Sequence, residues 1–138
     1  MDQHMLQRVQ EAYQTEYNNF QSFAAPLQAL AKSKAQYLAQ IQETTDVLNE
    51  LNLVKDESDG NVYKMYGPVL VKQDLDEAKT NVRTRLGFMQ EQLDKIDKDI
   101  TSKQAEMDKS KQKMAQIQTL FNNATNELKA RAAEQQKA

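Results

Sequence analysis

The chain contains no cysteine, so it forms no disulfide and no thiolate metal site. Histidine occurs once, as His4 near the N-terminus, which leaves neither a His-based metal site nor a Ser-His-Asp arrangement credible. No glycine-rich run resembles a phosphate cradle. With no metal, no cofactor and no nucleophile–base pair in view, catalysis is not expected. Glycine appears three times and proline twice in 138 residues, far too sparsely for a fold of many short strands and tight turns. Charge of one sign is also missing. The 18 basic and 20 acidic residues leave a net charge of -2, which provides no footprint for nucleic acid or an anionic membrane. No apolar run approaches the ~18 residues that would span a bilayer, and the opening MDQHMLQRVQEAYQ has no secretory core. A soluble, cytoplasmic protein is the expectation.

What remains is a polar, helix-rich chain. Hydrophobic residues make up 39% and the mean hydropathy is -0.83, so one spherical core would be weak and long paired helices are favoured. A strict 3-4 alternation runs through Leu6, Val9, Tyr13, Glu16, Phe20, Phe23, Leu27, Leu30, Lys34, Tyr37, Ile41, Thr44, Leu48 and Leu51. Eleven of the fourteen are apolar, where a frequency of 39% would give about five or six, so the spacing marks a coiled-coil seam. The pattern returns from Leu86 to Arg131 through Met89, Leu93, Ile96, Ile100, Lys103, Met107, Ser110, Met114, Ile117, Phe121, Ala124 and Leu128. Leu75, Ala78 and Val82 precede it. The extra four-residue step from Val82 to Leu86 is a stutter that locally unwinds a supercoil.

Asp74 followed by Glu77 reads as a capping box at the start of the second helix, with Asp76 suited to the helix's positive end. Pro26 falls inside the first stripe. A helix-interior proline costs roughly 3 kcal/mol, so a kink or frayed turn is expected around residues 22–26. Lys34 and Lys103, at seam positions, are expected to snorkel or set register. Two seams joined by about twenty residues should fold back antiparallel, with Leu51 near Leu75 and Leu6 near Leu120 or Phe121. About 45 paired residues at about 1.5 Å each give a rod of about 70 Å. One domain is expected: a helix over 1–53, an acidic loop and hairpin over 54–73, a helix over 74–132 and a frayed tail over 133–138. The loop carries Lys55-Asp56-Glu57-Ser58-Asp59 and the turn cluster Asp59-Gly60-Asn61. Asp94, Asp97 and Asp99 alternate with lysine and read as a solvated helix face.

Between the helices lies NVYKMYGPVLVKQ. Val62 to Tyr66 and Val69 to Lys72 are rich in β-branched and aromatic residues, which favours strands. Gly67-Pro68 suits a two-residue type II′ turn. Such a lone hairpin is marginal in water, has two open edges and would be apolar on both faces, with nothing in its own chain to cover it. Either it is a sticky connector, or hairpins from several subunits pair into a closed sheet that removes the edges. The second alternative explains more of the residues. The fold class is thus mainly α: a long antiparallel two-helix coiled coil joined by a β-hairpin that assembles into an intersubunit β-barrel.

The run VYKMYGPVLVKQDLDEAK between two coiled-coil helices closely resembles the β-type subunits of prefoldin, and GPVLVKQ followed by DLDEA is most similar to a eukaryotic one. The likeness is strongest over residues 48–100. It implies a heterohexamer of α-type and β-type subunits whose hairpins form a double β-barrel platform, with six coiled coils hanging from it. It also implies an ATP-independent holdase that grips unfolded polypeptides such as actin and tubulin and passes them to the cytosolic chaperonin. Carried over, the platform falls on Val62, Tyr63, Met65, Tyr66, Gly67, Pro68, Val69, Leu70 and Val71. Pro26 departs from the family's uninterrupted first helix.

If the hairpin closes one end of the rod, both termini lie at the other. Met1, Met5, Leu6, Val9, Ile117, Leu120, Phe121 and Leu128 then form a partly covered tip, and Met5 and Leu120 lie off the main stripe. Flexible methionine suits a surface that accepts many partners. This tip is the expected client grip. The rival reading is a scaffold, in which the hairpin drives oligomerisation and the helices space partner proteins. A nucleic-acid-binding helical arm is disfavoured by the absence of a basic face.

Overall fold

The computed structural model describes residues 3–54 and 62–137. The acidic run and turn cluster over 55–61, like Met1, lie outside the described residues. Three helices and two strands follow in order: α1 (Gln3–Ser22), α2 (Ala24–Leu53), β1 (Val62–Tyr66), β2 (Val69–Gln73) and α3 (Leu75–Lys137). The chain divides into two compact units. One holds Met1–Ala29 with Ile100–Ala138, and the other holds Leu30–Asp99.

Within the first unit, α1 lies antiparallel to the distal part of α3. Lys113 Nζ of α3 faces Glu16 Oε1 of α1 at 3.9 Å, and Val9 and Tyr13 share a groove with Ile117 and Phe121. Leu6 therefore falls nearer Ala124 than Leu120. Within the second unit, residues 30–53 of α2 lie antiparallel to the start of α3. Leu51 shares a cleft with Ala78 and Val82, about one turn further along α3 than the expected partner Leu75. The cause is local: Val62 and Tyr63 at the start of β1 line the same cleft and take up its end.

Every position of the first stripe is at least partly buried, as is every position of the second except Arg131. Heptad spacing thus decides what is covered. Two helices can enclose only a narrow strip, so full burial is confined to Ala78, Met89, Ser110 and Ala124, and none of the described large side chains is completely enclosed. Most of the helical stability is therefore spread thinly along the seam.

The proline interrupts the helix in a particular way. The chain leaves helical geometry at Phe23, whose N–H reaches only Phe20 O at 3.4 Å, and resumes with Leu27 N donating to Phe23 O at 3.1 Å. The break places Pro26 in the first turn of α2, where helix N–H groups lack partners anyway and a fixed φ is no handicap. Ser22 closes the preceding turn by donating from Oγ to Asn19 O at 2.6 Å.

At the start of α3, Asp74 Oδ2 accepts from Glu77 N at 3.3 Å, the forward half of a capping box. Asp76 and Glu77 place negative charge at the helix's positive end. α3 then continues through residues 133–137, where fraying was expected; the alanines, glutamines and glutamate there are good helix formers.

Candidate functional site

β1 and β2 form a two-stranded antiparallel sheet in which Val62 pairs with Gln73, Lys64 with Val71 and Tyr66 with Val69. Gly67 has φ +60, and Pro68 follows with its ring-fixed negative φ; together they build the type II′ turn that suits the twist of the strands. Pleating sorts the side chains. Val62, Lys64, Tyr66, Val69, Val71 and Gln73 share one face, and Tyr63, Met65, Leu70 and Lys72 the other. The cross-strand pair Met65 and Leu70 is 69% and 61% exposed, and Tyr63, Tyr66, Val69 and Val71 are exposed as well. Only Val62 and Gln73, beside the helices, are partly covered. Lys64 Nζ lies 5.4 Å from the Tyr66 ring centroid, a cation–π contact on an open face. The described hairpin therefore presents apolar side chains on both faces and a free edge on each strand. At about 25 cal/mol per Å², covering such a surface is a large driving force for association.

In the first unit, α1 and α3 enclose a groove of about 420 Å³. Its floor is the seam side chains Val9, Tyr13, Ile117 and Phe121, all partly buried. Leu6 and Leu128 are likewise partly covered. Of the residues assigned to the tip, Met5 and Leu120 are the open ones, at 53% and 63% exposure. Heptad position explains this, since both precede a seam residue and lie at its flank. Spacing had placed Tyr13 in the seam but not in a groove. Phe88 and Leu53 are further exposed apolar side chains, which could have been flagged as large apolar residues falling between stripe positions.

Neither surface carries reactive chemistry on the page. Among the described residues no group of three or more His, Asp or Glu side chains converges. Asp97 instead accepts from Lys34, with Nζ 2.8 Å from Oδ1, so the aspartate run is partly engaged in joining α2 to α3. No described helix is long and apolar enough to cross a membrane.

Comparison with known proteins bears on all of these elements. The family model described as "Prefoldin subunit" matches residues 14–120, from the middle of α1 through the hairpin and far into α3. "Probable prefoldin subunit 6" of Caenorhabditis briggsae is 32% identical over 120 residues, covering 83% of this chain and 94% of that protein. "Prefoldin subunit 6" of Arabidopsis thaliana is 48% identical over 64 residues, 46% of this chain and 48% of the other. The human "Prefoldin subunit 6" is 29% identical over 122 residues, 87% of this chain and 92% of its own. Among solved structures, the prefoldin beta subunit from Thermococcus strain KS-1 shares the fold. Its TM-score is 0.68 at 22% identity, over 79% of this chain and 91% of that one.

Proposed function

The chain belongs to the prefoldin subunit family and so has a co-chaperone role alongside other prefoldin subunits; on that premise we propose that its hairpin is the assembly element and its distal groove the client grip. The observation that carries this reading is the hairpin. Six large apolar side chains stand exposed on two faces of a sheet with two open edges. Hairpins contributed by α-type and β-type subunits of a heterohexamer would close into a barrel, pair those edges and bury those faces. Val62, Tyr63, Met65, Tyr66, Val69, Leu70 and Val71 supply the contacts, and Gly67 and Pro68 set the turn.

The grip falls on Met5, Leu6, Val9, Ile117, Leu120, Phe121 and Leu128. Each side chain is only half covered or open, so one subunit binds weakly, and several subunits around one unfolded chain multiply the affinity. On this reading the assembly works in the cytoplasm without ATP. It holds unfolded clients, actin and tubulin among them, and delivers them to the cytosolic chaperonin.

The test mixes this chain with α-type and β-type partners and records native mass together with suppression of client aggregation. Tyr63→Asp and Val69→Asp, one on each face of the hairpin, should abolish a discrete hexamer. Removal of residues 1–8 and 118–138 should leave the hexamer and abolish holding. A partner-independent dimer indifferent to both hairpin substitutions would instead make the coiled coil the oligomerisation element and favour the scaffold.

A further inference from the structure

A second heptad stripe runs beside the seam on α1. Gln3, Gln7, Gln10, Gln14 and Gln21 follow steps of three and four, with Tyr17 filling the one remaining place. Polar side chains on a helix surface need no explanation, but this row differs in two respects. It is wholly uncharged in a chain with 28% charged residues. It also rims the groove, with Gln10 and Gln14 on the α1 side and Gln118 on the α3 side. These edge positions are where coiled coils ordinarily place Glu and Lys for interhelical ion pairs. On the opposite edge of distal α3 the charges do appear, at Glu106, Lys113 and Glu127. No side chain that is charged at neutral pH lines the groove.

The amides are also held in place. Gln14 Nε2 donates to Asn18 Oδ1 at 3.0 Å, and Gln118 Nε2 donates to Asn122 Oδ1 at 3.1 Å. The same i,i+4 bond therefore braces the rim on both sides of the floor. Each of these bonds uses one N–H, leaving the glutamine its Oε1 acceptor and its second N–H. A carboxamide with one acceptor and one donor to spare matches the hydrogen-bonding inventory of a peptide group.

Resting on the client-holding reading above, we infer that this groove binds extended polypeptide without regard to its charge. An apolar client side chain sits on the floor of Val9, Tyr13, Ile117 and Phe121, while the client backbone bonds to the glutamine rim. The neutrality of the rim is what fits it to this occupant. An unfolded chain always offers peptide groups, whatever its sequence. A charged rim would instead select clients by sign and would have to be desolvated on each encounter.

The test uses the assembled complex with partner subunits and two unfolded probes of opposite net charge: reduced carboxymethylated α-lactalbumin, acidic, and reduced lysozyme, basic. The variant Gln10→Glu, Gln14→Glu, Gln118→Glu changes exposed helix positions to another good helix former. Unchanged native mass and far-UV circular dichroism verify that it assembles. The wild type should bind both probes with similar affinity. The triple variant should lose about tenfold or more for the acidic probe relative to the basic one, because like charges now line the groove. Similar affinity of the triple variant for both probes overturns the inference, as does a wild type that already discriminates tenfold. A wild-type complex that holds neither probe overturns the client-holding reading itself. A wild-type assembly that doubles in mass through this groove makes a second copy the occupant and also overturns the inference.

Discussion

Lys34 Nζ lies 2.8 Å from Asp97 Oδ1, so a lysine in the apolar stripe of α2 is satisfied by an aspartate at the edge of the α3 stripe. Both side chains stay substantially exposed, at 41% and 45%. The lysine stem covers the seam while its head reaches water and the carboxylate together. The geometry fixes which carboxylate Lys34 meets, but water and salt screen most of its energy.

A double-mutant cycle over Lys34→Ala and Asp97→Ala should therefore give a coupling of only about 0.2–1 kcal/mol, shrinking in 1 M salt. Chemical denaturation of the four proteins measures it. A coupling well above that range and insensitive to salt would mean that the pair is far better shielded than its exposure indicates.

Pro26→Ala should join α1 to α2. The substitution restores an N–H able to donate to Ser22 O, which removes the reason for the break at Phe23. Because Pro26 already occupies a first-turn position, the gain should be about 1 kcal/mol, well short of the roughly 3 kcal/mol for a proline in an intact helix. The expected signs are stronger far-UV helical signal and slower amide exchange at residues 23–27. Unchanged exchange there would show that another feature holds the turn open.

Gly67→Ala isolates the turn. Nothing lies within 4 Å of the added methyl, so the whole cost is the backbone's, at a φ of +60. That cost is about 1–2 kcal/mol. Since about 1.4 kcal/mol is tenfold in an association constant, subunit assembly titrated by native mass spectrometry should weaken by roughly tenfold. Assembly at wild-type strength would exclude this hairpin geometry from the assembled state.

The contrast between these sites shows what the residues declare in advance. The seam was legible because burial follows a period that the residues themselves carry, from Leu6 to Leu51 and again from Leu75 to Leu128. The hairpin was legible because Gly67-Pro68 permits few turns and its flanks favour strands. Register was not legible: which residue faces Leu51 depends on where Val62 and Tyr63 settle, a tertiary matter absent from either helix's pattern. The expected kink was legible, but its resolution at Phe23 was not, since several breaks could seat Pro26 acceptably. The glutamine rim escaped notice because amides on a helix surface look inert until the groove beside them is seen.

Glu16 is the seam position where burial and chemistry conflict. Its side chain is only 17% exposed, and Oε2 is buried with no hydrogen-bond partner among the described residues. Lys113 offers little relief, standing 3.9 Å from Oε1 with its own side chain mostly in water. An unsatisfied buried acceptor costs about 1–3 kcal/mol, more when charged. Glu16→Leu removes that penalty and adds apolar contact at a stripe position, so it should stabilise the α1–α3 pairing by about 1–3 kcal/mol. Lys113→Ala should cost less than 1 kcal/mol, because an exposed partner contributes little. Thermal unfolding of both variants within the hexamer separates these effects. If Glu16→Leu lowered the midpoint, the carboxylate would have to be satisfied in solution, and the α1–α3 pairing would owe its stability to a polar contact rather than to its apolar stripe.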